Sequence, residues 1–226
     1  MSLLHSIKTP TPTKEGKGYS HPASGNVSLF GFYKGKKVKL YQVFNSKQIQ
    51  LRLDVQRSAV GYYFPEVLDY DEQYVVEEFI ESEPSDWNGY EEMFSAMMRL
   101  RMIERTPDFD YLAYIYNRVG IDVPKLYNQI PCFVNHNDLT RDNVVVDRYG
   151  HPKIIDNDLL ACNNGWLLNL YNGNGLFASL NDEQTSRFYQ DVDVKLAEDI
   201  FNNVRKRFKK PEGNQDGRFN TEALFR

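Results

Sequence analysis

Apolar positions in the first third of the chain follow the patterns of β-strands, with one helix among them. Strands are predicted at residues 26–33, 37–44, 64–68 and 73–80, where apolar residues alternate with polar ones or run together. Residues 34–36 (KGK) are typical of a turn between the first two strands, and residues 69–72 (DYDE) predict an acidic turn between the last two. Residues 49–61 have helical spacing and end at a glycine.

The remaining two thirds are predominantly helical by the same criteria. The polar stretch 81–89, which contains proline and glycine, is typical of a hinge. Helices are predicted over 90–105, 110–119 and most of 182–209, and short strands around 132–134, 144–146 and 153–155, the last two as a hairpin. These patterns predict an α+β fold of two lobes. Its parts are a flexible tail (1–18), a small β-rich N-lobe (19–80), a hinge (81–89) and a mainly helical C-lobe that carries the hairpin (90–226).

Composition and charge exclude several other classes of protein. The 226 residues carry a net charge of −4, which does not suit a nucleic-acid-binding protein with a broad basic face. Cys132 and Cys162 lack the spacing of a disulfide framework or a zinc site. No stretch approaches the roughly 20 apolar residues of a membrane span, and the first residues lack the apolar core of a signal peptide. We therefore expect a cytoplasmic protein, although a secreted effector in a host cytosol would have the same composition.

Polar residues suited to phosphate chemistry surround the predicted hairpin. Asp138 and Asn143 lie five residues apart in the segment HNDLTRDN (136–143), and Asp156 follows the returning strand. Because a hairpin brings its two ends together, two carboxylates and one carboxamide are expected to meet at its mouth. Magnesium binds one or two carboxylates together with phosphate oxygens. Phosphoryl transfer needs such a metal, and a carboxylate that orients the attacking hydroxyl.

The same segment resembles the catalytic and metal loops of the kinase-like superfamily, where H-x-D-L-x-x-x-N precedes a hydrophobic strand and I-D. The resemblance implies that Asp138 is the catalytic carboxylate and that His136 braces its loop. It also implies that Asn143 and Asp156 hold magnesium. Asp158, two residues after the metal aspartate, makes the motif similar to those of aminoglycoside phosphotransferases and choline kinases.

The first third of the chain resembles the nucleotide-binding lobe of the same superfamily. Residues 73–80 are similar to its hinge strand, and the backbone around Glu78 and Ile80 would hydrogen-bond adenine. Ser24 and Gly25 would lie at the tip of the turn that covers the phosphates. This turn has no complete glycine-rich pattern.

Two residues compete for the position of the lysine that contacts the nucleotide phosphates in this superfamily. A count back from the hinge strand places Gln42 there, and the neutral amide would lack the lysine's charge. Lys39 faces the opposite side of a regular strand from Gln42. A one-residue bulge or an error in the counted register would bring Lys39 into the site. Asp54 on the following helix would then replace the glutamate that usually partners this lysine.

The resemblance implies an enzyme that uses ATP and Mg²⁺ to phosphorylate a hydroxyl of a small molecule, such as an aminoglycoside, an amino alcohol or a sugar. Two alternatives stay open on the residues alone. One is a minimal protein Ser/Thr kinase, for example a secreted effector with a protein acceptor. The other is a non-catalytic pseudokinase, which is suggested by the neutral amide of Gln42.

Overall fold

The structure is a computed structural model that describes residues 2–13, 26–82, 90–105, 131–139, 141–164 and 182–188, with single positions between 190 and 199. Contacts within the chain divide it into two compact units. The first unit consists of Met1–Gly89, Asp142–Leu160 and Phe225–Arg226, and the second of Tyr90–Arg141 and Ala161–Leu224. The hairpin that we expected within the C-lobe therefore groups with the N-terminal strands.

The helices and strands of the described residues follow one another along the chain in a fixed order. They are β1 (Lys8–Pro12), β2 (Ser28–Tyr33), β3 (Lys36–Gln42), α1 (Ser46–Arg57), β4 (Val67–Tyr70), β5 (Tyr74–Glu78), α2 (Tyr90–Arg101), β6 (Phe133–Asn135), β7 (Val144–Val146), β8 (Pro152–Ile154), β9 (Ala161–Asn163) and α3 (Asp182–Phe188).

A five-stranded antiparallel sheet with the order β1-β2-β3-β5-β4 is the frame of the first unit. The strands predicted at 26–33, 37–44 and 73–80 correspond to β2, β3 and β5. Lys34 and Gly35 form the turn between β2 and β3 with positive φ angles of 48° and 82°, a geometry that matches the twist of paired strands. The strand predicted at 64–68 instead begins at Val67, and the Pro65 carbonyl accepts a hydrogen bond from Arg52.

Residues 3–12 of the predicted flexible tail (1–18) instead form a 3-10 helix and an edge strand of this sheet, and residues 14–18 lie outside the described residues. A 3-10 helix at Leu3–Ser6 precedes β1, which pairs with β2 as an edge strand. The Leu3 amide donates to Asp71 Oδ2 at 2.9 Å. Gly31 on β2 permits the close approach, because a Cβ there would lie 2.3 Å from the Ile7 side chain. The sequence KTPTP of β1 obscured the strand, since proline within sheets is confined to edges and bulges.

Helix α1 packs on one face of the sheet. Asn45 caps its first turn by accepting from the amides of residues 47 and 48. The helix therefore begins before residue 49 and ends at Arg57, and Gly61, the last residue of the predicted helix, instead begins a separate 3-10 turn at Gly61–Tyr63. Ile49 of α1 is buried against Tyr41 and Val75 of the sheet. On the opposite face of the sheet, buried strand residues form a second core. Leu3, the first residue of the N-terminal 3-10 helix, and Ile7, which follows that helix, cover this core.

The hairpin of β7 and β8 is attached to the first unit at two places. Ser82 pairs with Asp147 as an isolated β-bridge, and Lys153 Nζ donates to the Tyr62 carbonyl at 2.6 Å. Asp147 closes the hairpin turn by accepting from the amides of Tyr149 and His151. These contacts place the two ends of the hairpin in the same unit as β3.

In the second unit, α2 packs against β6, which pairs antiparallel with β9. The guanidinium of Arg101 lies 4.2 Å from the centre of the Phe133 ring. Helix α3 covers the start of the helix predicted at 182–209, whereas the helix predicted at 110–119 lies outside the described residues. None of the helices in the described part of the chain is long and apolar enough to span a membrane.

Candidate active site

Lys39 lies in the middle of β3, on the face of the sheet that carries α1. The strand pairs without a bulge with both neighbours, so that Lys39 lies opposite Phe30 of β2 and opposite Glu77 of β5. The residue is only 8% exposed, and its Nζ donates to Asp156 Oδ1 in a close ion pair. A cation of the sheet and the carboxylate of Asp156, which follows β8, are therefore in direct contact.

Asn143 and Asp156 lie at the open end of the hairpin, one on each side. The Ile155 amide donates to the Asn143 carbonyl at 2.9 Å, which extends the β7–β8 ladder by one step. Asp156 then adopts a left-handed backbone (φ 65°, ψ 49°), a conformation that costs a non-glycine residue of order 1–3 kcal/mol. This turn leads the chain from β8 into the 3-10 helix at Asn157–Leu159 and leaves the Asp156 carboxylate beside Lys39.

A cavity of about 340 Å³ opens beside these residues within the first unit. Lys39, Asn143 and Asp156 line it with polar groups, and Phe30, Val145 and Ile155 line it with apolar ones. Glu78, Phe79 and Ile80, at the end of β5, also border it. Predominantly apolar walls with a few convergent polar groups are typical of small-molecule sites.

Two residues predicted for the nucleotide site, Gln42 and Asp54, do not border the cavity. The side chain of Gln42 lies on the face of β3 opposite to that of Lys39. Its Oε1 accepts a hydrogen bond from the Val27 amide at 3.1 Å. Lys39 pairs with Asp156 and lines the cavity although β3 has no bulge, and its contact with the nucleotide phosphates stays a prediction. Asp54 bonds to Gln50 and to Arg57 of its own helix. Ser24 and Gly25 lie outside the described residues.

Charges around Lys39 keep it protonated. Burial by itself lowers the pKa of Lys39, but the attraction of Asp156 and Asp158 and the hydrogen bond to Asp156 outweigh burial, so the pKa lies above its ordinary value of 10.5. Glu77 adds to this attraction and also faces Arg52. Lys39 and Arg52 thus carry two formal positive charges, whereas Asp156, Asp158 and Glu77 carry three formal negative charges. The excess of negative charge favours the binding of a further cation.

A buried polar network that the sequence analysis missed surrounds Glu77. Arg52 Nε donates to Glu77 Oε1 at 2.5 Å, and the Tyr41 hydroxyl donates to the same oxygen at 3.0 Å. The Asn157 side-chain amide donates to Glu77 Oε2 at 3.2 Å. Charged residues within apolar patterns were the signal in the sequence that could have indicated this network. Arg52 interrupts the buried stripe of α1, and Glu77 follows three buried residues of β5.

Asp138, the predicted catalytic carboxylate, and His136, predicted to brace its loop, belong to the second unit. They follow β6, whose Asn135 side chain donates to Asn163 Oδ1 of β9 at 3.1 Å and accepts from the Asn137 amide at 3.0 Å. Asn137 has a left-handed backbone (φ 63°), and His136 is buried. Asp138 therefore follows a turn whose conformation is stabilised by hydrogen bonds to Asn135 in the β6–β9 sheet.

The residues of the first unit fit a magnesium–nucleotide complex. Magnesium with phosphate ligands needs only one or two protein oxygens, and Asn143 and Asp156 supply a carboxamide and a carboxylate to one cavity. In the part of the chain that the structure describes, no group of three or more His, Cys, Asp or Glu side chains could hold a metal by itself. A metal here would therefore depend on phosphate oxygens or water for most of its ligands.

Comparison with known proteins assigns the fold. No protein-family model matches the chain. A protein of Metamycoplasma hominis with no stated activity is 29% identical over 101 residues, which are 43% of this chain but only 19% of that protein. The crystal structure of LicA in complex with AMP has a TM-score of 0.50 and 11% identity, over 90% of this chain and 85% of LicA. The chain therefore has the fold of LicA, which is protein-kinase-like.

Two other solved structures have lower scores. An aminoglycoside-3'-phosphotransferase of type VIII has a TM-score of 0.48 and 14% identity, over 90% of this chain and 94% of that one. The choline kinase LicA from Streptococcus pneumoniae has a TM-score of 0.41 and 13% identity, over 95% of this chain and 90% of that one.

Proposed function

We propose that this protein is a phosphotransferase that uses ATP and Mg²⁺ to phosphorylate a hydroxyl group of a small molecule. The observation that carries the proposal is that Lys39, Asn143 and Asp156 line one cavity of about 340 Å³ together with the apolar side chains of Phe30, Val145 and Ile155. LicA, which has the same fold, was crystallised with AMP. Donor atoms, charge and fold all support nucleotide binding.

Each residue has a role in this proposal. Lys39 contacts the phosphates, and Asn143 and Asp156 hold the metal, whose chemistry is to neutralise phosphate charge. The backbone of residues 78–80, which borders the cavity, would lie against the base, although the Glu78 amide itself donates to the Glu66 carbonyl. Asp138 orients the acceptor hydroxyl and takes its proton, as the resemblance of its loop implies, and His136 braces that loop.

The position of Lys39 favours an enzyme over a pseudokinase. The pseudokinase alternative depended on the neutral amide of Gln42 at the phosphate position. Gln42 is engaged with Val27 instead, and a protonated lysine lines the cavity. The acid Asp158, two residues after Asp156, favours a small-molecule acceptor over a protein, because this pattern resembles aminoglycoside phosphotransferases and choline kinases.

Transfer of labelled phosphate from ATP tests the proposal. The wild-type protein and the Asp138→Asn variant are incubated with Mg²⁺ and panels of aminoglycosides, amino alcohols, sugars and candidate proteins. We expect label on a small molecule with wild type and much less with the variant. Label on proteins alone would assign a protein kinase, and ATP binding without any turnover would assign a non-catalytic protein.

A further inference from the structure

Glu77 is a buried carboxylate held by three elements. It is 1% exposed, and its oxygens accept from Arg52 of α1, Tyr41 of β3 and Asn157 of the turn that follows Asp156. A buried charge is costly unless it is paired and hydrogen-bonded. The three donors meet that requirement, and one of them connects Glu77 to the metal loop.

The side-chain amide of Asn157 makes this connection with two hydrogen bonds, one to Glu77 and one to the backbone before Asp156. Its Nδ2 donates to Glu77 Oε2 at 3.2 Å and to the Ile154 carbonyl at 3.3 Å. The same amide thus bridges the end of β8 and the sheet across the left-handed turn at Asp156. A strained turn persists only where its surroundings hold it, and the Asn157 amide supplies such a constraint.

Charges of opposite sign alternate from α1 to the metal loop. Arg52 of the helix pairs with Glu77 of β5, Glu77 lies opposite Lys39 in the sheet, and Lys39 pairs with Asp156. We had expected the helix to supply an acid, Asp54, beside the lysine. In the structure the helix supplies a cation, and the acid beside the lysine comes from the neighbouring strand.

We propose that Arg52, Glu77 and Asn157 are positioning residues that hold the metal ligand Asp156 in its binding conformation. The inference rests on the proposed function, since it assigns these residues to the same metal–nucleotide site. They act through the turn at Asp156, so their loss alters the affinity for metal and leaves the affinity for free nucleotide unchanged.

The test compares the Mg²⁺ dependence of ATP binding in wild type and Asn157→Ala by titration calorimetry. We expect the Mg²⁺ concentration for half-maximal binding to rise by about 10- to 100-fold, the range for residues that orient metal ligands. Binding of ATP in EDTA should not change. Asn45→Ala is the matched control, because it removes the helix cap of α1 and lowers the melting temperature without touching the network.

A folded Asn157→Ala protein with the Mg²⁺ dependence of wild type would overturn the inference. If that variant does not fold, Arg52→Lys decides in the same way, since it keeps the charge but cannot bond both Glu77 and the Pro65 carbonyl as arginine does. If wild type binds no Mg²⁺–ATP, the proposed function fails. Amide hydrogen exchange at residues 155–159 then tests the tether, and equal exchange in Asn157→Ala and Asn45→Ala would refute it.

Discussion

The ammonium group of Lys39 contacts the carboxylate of Asp156, although 117 positions separate the two residues in the sequence. β3 carries the cation and the turn after β8 carries the anion, so the hairpin brings the metal loop to the sheet. Asn143, on the other side of the hairpin mouth, lines the same cavity. The residues that we propose as the phosphate contact and the metal ligands therefore all lie in the first unit.

Replacement of Lys39 tests which residue contacts the phosphates. Lys39→Ala should weaken ATP binding by roughly 1.5–3 kcal/mol, the range for a hydrogen bond to a charged group. Gln42→Ala is the matched control from the same strand, and it should leave ATP binding unchanged, because its side chain bonds to Val27. Calorimetric dissociation constants measure both effects. The reverse pattern would return Gln42 to the phosphate position.

Replacement of the two aspartates separates catalysis from binding. Asp138→Asn should leave ATP affinity nearly intact and lower turnover by about 10²–10⁴-fold, the usual contribution of a general acid or base. Asp156→Asn should weaken binding of Mg²⁺–ATP, because a charged ligand of the metal is lost. Steady-state kinetics and calorimetry on both variants distinguish the roles. Equal loss of binding in the two variants would show that the roles are misassigned.

Loss of Glu77 should be costly for stability. Glu77→Ala leaves the Arg52 guanidinium buried without its carboxylate, and breaking such a pair costs about 3–5 kcal/mol of unfolding free energy. The double variant Arg52→Met, Glu77→Leu should recover much of this loss, because no charge remains unpaired. Lys34→Ala, which breaks the exposed pair with Asp69, is the control and should change little. Urea unfolding curves give all the values, and a mild effect of Glu77→Ala would contradict the network.

Stability should decline in strong alkali through Lys39 and Tyr41. Burial and the neighbouring Glu77 raise the pKa of Tyr41 well above 10.0, and nearby carboxylates hold the pKa of Lys39 above 10.5 despite burial. A pKa raised by folding contributes stability that is complete below the unfolded-state pKa and is lost as pH rises through the folded-state value. Urea unfolding between pH ~9 and ~12 should therefore show a loss concentrated above pH ~10.5. Lys39→Met and Tyr41→Phe should each flatten this decline, and a wild-type curve without it would exclude the expected coupling.

The sequence predicted the β7–β8 hairpin better than the contacts that surround it. The segment 136–143 and the following hairpin carry a local motif, and the structure places Asn143 and Asp156 at the mouth of that hairpin as expected. Lys39 required knowledge of the strand register. Register depends on pairing with β2 and β5, which a count along one strand does not contain.

Two other features depended on tertiary packing. The strand β1 has a proline-rich sequence that local propensity disfavours, yet burial of Leu3 and Ile7 beside it holds it to the sheet edge. The contact between Glu77 and Arg52 joins a strand to a helix 25 positions away. Each of the two residues is a single charge within an apolar stripe, which indicates a buried polar contact. The sequence alone does not show that the two charges pair with each other.

A crystal structure with Mg²⁺ and a non-hydrolysable ATP analogue tests the central claim most directly. We predict a metal ion bound by oxygens of Asn143 and Asp156 at about 2.0–2.1 Å, the usual distance for magnesium. Lys39 should contact the phosphates, and the base should lie against Phe30 and Ile155. A nucleotide outside this cavity, or a metal bound to neither Asn143 nor Asp156, would contradict the account.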